Sequence, residues 1–269
     1  MLTSRVHCRC YSAWSICGVR LSIRATGPSR LNALAALLPE NREPISASQA
    51  DCSFGVEPVL ENGIRRYRVL ENSEPVGLFP SFASAGDCLR SRVELFMAEN
   101  STRYVFVHAG VVGIDGAAVL IPGDSCSGKT SLVARLVEAG AEYFSDEYAL
   151  LDAEGRVHAY PRSLGVRGAA AKQYIDPRSL GSVTQMPLRA GLVLLTSYRA
   201  DGRWRPQRVS AARATLGLLA NTLPARRRPA WALHAIRSAV EGSTCLAGAR
   251  GDAEQIVSQL LPERRHTSQ

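Results

Sequence analysis

Eight consecutive residues hold the densest chemistry in the sequence: Gly123, Asp124, Ser125, Cys126, Ser127, Gly128, Lys129 and Thr130. Their order fits G-x-x-x-x-G-K-[ST], the pattern of a loop that cradles phosphate. The glycines let the backbone wrap until successive N–H groups point inward at anionic oxygens. A helix that starts where the loop ends aims its positive end at the same anion. Lys129 is suited to bring a point charge to the β- and γ-phosphates of a nucleotide, and Thr130 a hydroxyl to its Mg²⁺. The lysine is informative, since 30 of the 32 Lys and Arg residues are Arg. An ammonium on a slim stem fits inside such a loop where a planar guanidinium does not.

Three more residues bear on that chemistry. Asp146 and Glu147 close a short stretch beyond the loop, where proteins with such loops place an acid facing Mg²⁺. One carboxylate of such a pair can hold the metal while the other accepts a proton. His108 enters through a hairpin. Residues 104–114 and 117–121 are apolar runs joined by Asp115-Gly116, the signature of a two-residue type I′ turn. With that turn Ile114 faces Ala117, and counting back along both strands sets His108 opposite Gly123. The imidazole then sits beside the phosphates; the competing reading of a lone His in an apolar strand is a hydrogen-bonded core residue.

The elements that must hold these residues are read from periodicity. Residues 132, 133, 136 and 137 form one apolar face of a helix that Gly140 ends. Residues 143–147, 149–152, 157–160 and 191–196 read as strands, 210–223 and 230–240 as helices, and 245–247 as a strand. A last helix is expected to be capped by Asp252, with Gln255 at capping-box spacing. Upstream, residues 11–26 carry strand patches, and Ser29 stands as a cap before a helical run. Strand candidates at 53–60, 65–71 and 76–79 precede a helix at 84–99. The polar run 98–103 divides the chain into a small N-terminal α+β unit, residues 1–102, and a second domain, residues 103–269. The fold class is α/β.

Composition removes other options. The chain is 46% hydrophobic and 21% charged, a globular mixture that excludes disordered, collagen-like and coiled-coil chains. No window approaches the ~18 apolar residues of a membrane span, and no signal-peptide pattern opens the chain, so the expected location is cytoplasmic with no membrane partner. Seven Cys in a chain of this length read as reduced thiols, and His7-Cys8-Arg9-Cys10 lacks a second ligand pair at zinc spacing. Of the net +8, residues 199–228 carry +7. That stretch is open to three readings. It is a solvated face, or a nucleic-acid surface, although it has neither a recognisable module nor an aromatic series. Alternatively, Arg226, Arg227 and Arg228 meet the γ-phosphate as an arginine finger does. The same field attracts an acidic peptide.

Taken together, His108-Ala-Gly-Val-Val, the loop 123–130 and Phe144-Ser-Asp-Glu147 resemble the catalytic domain of the HPr kinase/phosphorylase family. The likeness covers residues 104–150. It is nearer to the divergent HPr-kinase-related serine kinases, which share the string around Phe144-Ser-Asp-Glu-Tyr-Ala149 and the subsequent Pro161-Arg162. The resemblance implies a P-loop fold of the phosphoenolpyruvate carboxykinase type, with a strongly twisted mixed sheet. It implies ATP and Mg²⁺ as cofactors and a serine hydroxyl of a protein, peptide or small molecule as phosphoryl acceptor. Carried over, Asp146 is the general base, Glu147 and Thr130 serve the metal, and His108 orients Asp146. It also implies homo-oligomers. Arg167-Gly168 lacks the Glu that precedes it in the family, so phosphorolysis, the family's reverse activity, is not part of the expectation. The alternative function is a nucleotide-binding regulatory module without catalysis.

Overall fold

The computed structural model describes residues 9–123, 127–167, 172–184 and 186–262. Contacts divide the chain between Arg103 and Tyr104.

In the first unit, strands β1 (Arg9–Ile16) and β2 (Val19–Thr26) form a hairpin, followed by helix α1 (Pro28–Ala35) and strand β3 (Glu43–Ile45). Strands β4 (Cys52–Glu61), β5 (Ile64–Glu71) and β6 (Glu74–Phe79) then lead into helix α2 (Phe82–Asn100). The six strands make one sheet in the order β3-β1-β2-β4-β5-β6, with β2 and β4 parallel. The α+β character matches the sequence pattern. One cap differs: α1 starts from Gly27 with Pro28 in its first turn, and Ser29 makes no cap. Proline's fixed φ suits that first position and starts the helix ahead of the serine. Ser81 does cap α2, accepting from the Ser84 N–H at 3.1 Å. Leu21, Ile23, Phe54, Val69, Leu89 and Val93 are fully buried and make the core of this unit.

The second unit opens with strands β7 (Val105–Ile114) and β8 (Ala117–Pro122), then helix α3 (Lys129–Glu138). Strands β9 (Glu142–Ser145), β10 (Tyr148–Leu151) and β11 (Arg156–His158) come next, with β12 (Leu164–Arg167) and β13 (Lys172–Ile175) as a separate antiparallel pair. The chain continues through β14 (Leu188–Tyr198), β15 (Gln207–Arg208), α4 (Ala211–Ala220), α5 (Pro229–Val240), β16 (Thr244–Arg250) and α6 (Glu254–Leu260). Among the described residues the main sheet has eight strands, ordered β11-β10-β7-β8-β14-β16-β15, with β9 also on β7. It is mixed: β8, β14 and β16 run parallel, and β7 runs against β8 and β10. Because β11 pairs with both β10 and β14, the ladder closes on itself. Such closure demands strong twist and coiling, and a bulge at Gly191 bends β14 where it passes from β11 to β8.

Two apolar layers flank the sheet. Leu132, Val133 and Leu136 of α3 pack with Ile256 and Val257 of α6 on one face; Leu218 of α4 and Ile236 of α5 cover the other. At Gly110 on β7 the helix α3 comes so near that an added Cβ would stand 2.6 Å from Val133 Cγ2. Gly110→Val is therefore expected to push α3 off the sheet and lower stability by about 1–3 kcal/mol, read as a lower denaturant midpoint. An unchanged midpoint would mean that this contact does not hold the helix.

The capping box expected of the last helix does not form. Asp252 accepts from the Glu254 N–H at 3.1 Å, but Gln255 is turned away to accept from the Trp204 N–H at 2.6 Å. Among the described residues no helix is long and apolar enough to cross a membrane.

Candidate functional site

The hairpin register sets the site. Asp115 and Gly116 take φ of 50° and 75°, and Ala109 pairs with Pro122. His108 thus comes opposite Gly123, whose N–H donates to the His108 carbonyl at 3.4 Å. Since β7 is antiparallel to β8, its beginning lies beside the end of β8. The parallel strands β14 and β16 bring their carboxyl ends to the same edge, and the bend between β9 and β10 joins them.

Of the phosphate-loop residues, Asp124, Ser125 and Cys126 lie outside the described residues. The remainder are described. Gly128 caps α3 in the left-handed region at φ 78°, and an added Cβ there would stand 2.6 Å from Arg250 Nη2. Both the turn and the close approach need glycine. Lys129 is buried and its Nζ donates to the Gly123 carbonyl. Ser127 Oγ is buried with no hydrogen-bond partner among the described residues.

The two acids part company at the bend. Ser145 Oγ accepts from the Glu147 N–H at 3.2 Å and the Tyr148 N–H at 3.1 Å, which tightens the turn between them. Asp146 points inward and is 6% exposed. Its carboxylate accepts from the Thr130 hydroxyl and the Gly165 N–H, and Tyr143 Oη stands 3.4 Å away. Glu147 points outward with 38% of its side chain exposed, 3.5 Å from His108 Nε2. His108, which the family resemblance sets to orient or tune Asp146, turns its ring to Glu147. The reason is the bend, which sends consecutive side chains in different directions, so that only the second reaches β7.

Electrostatics obey the same division. Burial first, then the charge of Glu147, push Asp146 above the usual carboxylate range, against the pull of Arg162 and Thr130. Burial also acts to raise Glu147, but the hydrogen bond and electrostatic influence of His108, with the charges of Arg162 and Lys129, outweigh it and leave Glu147 lowered. A buried carboxylate held on the Thr130 hydroxyl fits a divalent cation. Among the described residues no three His, Cys, Asp or Glu form a metal cage, and Mg²⁺ needs none, taking one or two carboxylates together with phosphate oxygens. The buried Lys129, the α3 N-terminus and the unpartnered Ser127 Oγ fit phosphate.

Arg226 and Arg227 are exposed, and Arg228 stacks over Trp231 at 4.2 Å. Trp204, between Arg203 and Arg205, is tied to α6 by its ring N–H, which donates to Gln259 at 2.7 Å. Among the described residues, Arg250 touches the loop: its Nη2 donates to the Ser127 carbonyl at 3.1 Å. Arg162 is the cation whose charge bears on both acids. Sequence reasoning passed over Arg250 because it lies three residues beyond the expected strand 245–247, with nothing local to tie it to residue 127. For Arg162 a signal existed, in the Pro161-Arg162 pair after the acids. Gly168 and the Arg167 side chain lie outside the described residues.

No family model matches the chain, and no curated protein sequence matches it. Among solved structures the chain is similar to the HPr(Ser) kinase/phosphatase from Coxiella burnetii, with 16% identity over 60% of this chain and 95% of that chain and a TM-score of 0.35. A likeness of that size leaves the chemistry to be argued from the site itself.

Proposed function

We propose that this chain is an ATP-dependent phosphotransferase that passes the γ-phosphoryl group to a serine hydroxyl of a protein, a peptide or a small molecule. In this reading its second unit is a P-loop domain of the phosphoenolpyruvate carboxykinase type. The observation that carries the proposal is the Thr130–Asp146 hydrogen bond beside the Glu147–His108 pair, at the edge where the loop and Lys129 lie. A module that only binds nucleotide needs the loop and one acid; it has no use for a second acid held by an imidazole.

The roles are assigned by geometry before basicity. Asp146, enclosed and held on Thr130, is the metal-holding carboxylate together with that hydroxyl. Asp146 and the Thr130 hydroxyl would hold Mg²⁺, which would supply positive charge to offset the negative charge that develops on the phosphate during transfer. Glu147, half exposed and backed by His108, is the base. It takes the proton of the acceptor hydroxyl as that oxygen bonds to the γ-phosphorus and the bond to the β–γ bridging oxygen breaks, releasing ADP. His108 holds the Glu147 carboxylate and steadies its charge. Lys129 and the loop N–H groups draw the phosphates in, and Arg162 limits the repulsion between the two acids. This exchanges the roles of Asp146 and Glu147 relative to those the family resemblance implies.

Lys129→Ala is expected to weaken MgATP binding by about 30-fold or more, measured by calorimetry. Unchanged affinity would remove the nucleotide site altogether. Transfer itself is tested by incubating the protein with γ-labelled ATP and a library of serine-containing peptides, with phosphoserine as the expected product.

A further inference from the structure

The sheet order puts the acids and Arg250 on opposite sides of the phosphate loop. Acids and His108 lie toward β7 and β10; on the other side β14 and β16 end in Tyr198 and Arg250, which pair in register. Both strands turn their even-numbered residues to α3, since Leu192, Leu194 and Leu246 belong to the apolar layer beneath that helix. Tyr198 and Arg250 therefore project on the face where α3 and its loop begin.

The two residues contrast sharply in exposure. Arg250 is 2% exposed. Its Nη2 donates to the Ser127 carbonyl at 3.1 Å and its Nη1 to the Gly251 carbonyl at 3.4 Å, while Nε has no acceptor among the described residues. Burial lowers the pKa of this guanidinium, opposed by Tyr198. A buried guanidinium is unfavourable unless an anion compensates it, and two carbonyls do so only in part. Tyr198 is 56% exposed, and its ring centroid lies 5.7 Å from the guanidinium carbon of Arg250. An open aromatic face thus stands one residue away from a cation that touches the phosphate loop.

Resting on the nucleotide-binding reading above, we infer that Tyr198 and Arg250 form the nucleoside end of the site. Tyr198 stacks the base, and Arg250 turns its unpartnered N–H to the phosphate next to the sugar. A nucleotide that directs its terminal phosphate at Glu147 and runs along the loop must leave on the β14–β16 side. There a cation meets the phosphate chain first, and an aromatic ring receives the base beyond the sugar. The ring face supplies stacking and the guanidinium beneath it steadies the ring.

The test compares MgATP with inorganic tripolyphosphate and Mg²⁺ by calorimetry on the full chain. Tyr198→Ala is expected to weaken ATP binding about 10-fold and leave tripolyphosphate within about twofold. Tyr198→Phe should retain both affinities, because the ring face and not the hydroxyl does the binding. Arg250→Met should weaken both ligands about 10-fold or more, with Arg250→Lys recovering part of the loss. Equal ATP affinity in the wild type and Tyr198→Ala would overturn the inference, as would an equal loss of both ligands. Tyr198 is exposed, so its variants are informative even if Arg250→Met fails to fold. Wild-type protein that binds neither ligand, or Lys129→Ala that binds both normally, would instead overturn the phosphate site on which the inference rests.

Discussion

Glu147→Gln is expected to bind MgATP within about twofold of the wild type and to transfer phosphoryl groups about 10²–10⁴-fold more slowly, the usual worth of a positioned base. The substitution keeps the length of the side chain and an oxygen that His108 can still approach, so the shape of the site survives. Lost is a carboxylate able to accept the hydroxyl proton. Binding and chemistry separate because Glu147 is held by His108, 3.5 Å away, and not by the loop hydroxyl. Measuring nucleotide affinity by calorimetry and transfer with γ-labelled ATP on the same preparation reads both quantities. A variant that transfers at the wild-type rate would remove Glu147 from the chemistry. One that loses MgATP affinity and transfer together would return it to the metal.

Asp146→Asn should show the complementary pattern. Asp146 accepts from the Thr130 hydroxyl, so its neutralisation is expected to lower the affinity for MgATP about 10–100-fold, toward that for ATP without metal. Titrating Mg²⁺ at fixed ATP would show the loss as a weakened metal dependence. Stability should move the other way. Burial and the neighbouring charge raise the pKa of Asp146, so at neutral pH the fold holds a carboxylate whose charged form it disfavours, and a neutral amide relieves that penalty. The ligand-free variant is accordingly expected to melt at a higher temperature than the wild type, as substitutions at strained functional sites often do. If Asp146→Asn kept its MgATP affinity and lost transfer alone, Asp146 would be the base, as the family resemblance implies.

Local chemistry was legible in the sequence because it depends on near neighbours. The spacing from Gly123 to Thr130 raised the expectation of a phosphate loop, and Asp115-Gly116 specified a tight two-residue turn. That turn alone set the register that brings His108 across from Gly123, since a two-residue hairpin leaves no freedom in pairing. Periodicity likewise revealed the apolar face of α3 and the strand-rich first unit. Three things needed the tertiary structure. The division of labour between Asp146 and Glu147 depends on a bend tightened by Ser145, and strand alternation does not extend through a bend. The closure of the sheet through β11 and β14 joins segments with no shared local pattern. Most of all, the guanidinium seen to hydrogen-bond the loop among the described residues is that of Arg250. Composition drew attention to the densest charge, which solvent accommodates readily. The buried guanidinium was invisible until parallel pairing carried the end of β16 to the end of β8, bringing residues 127 and 250 within a hydrogen bond.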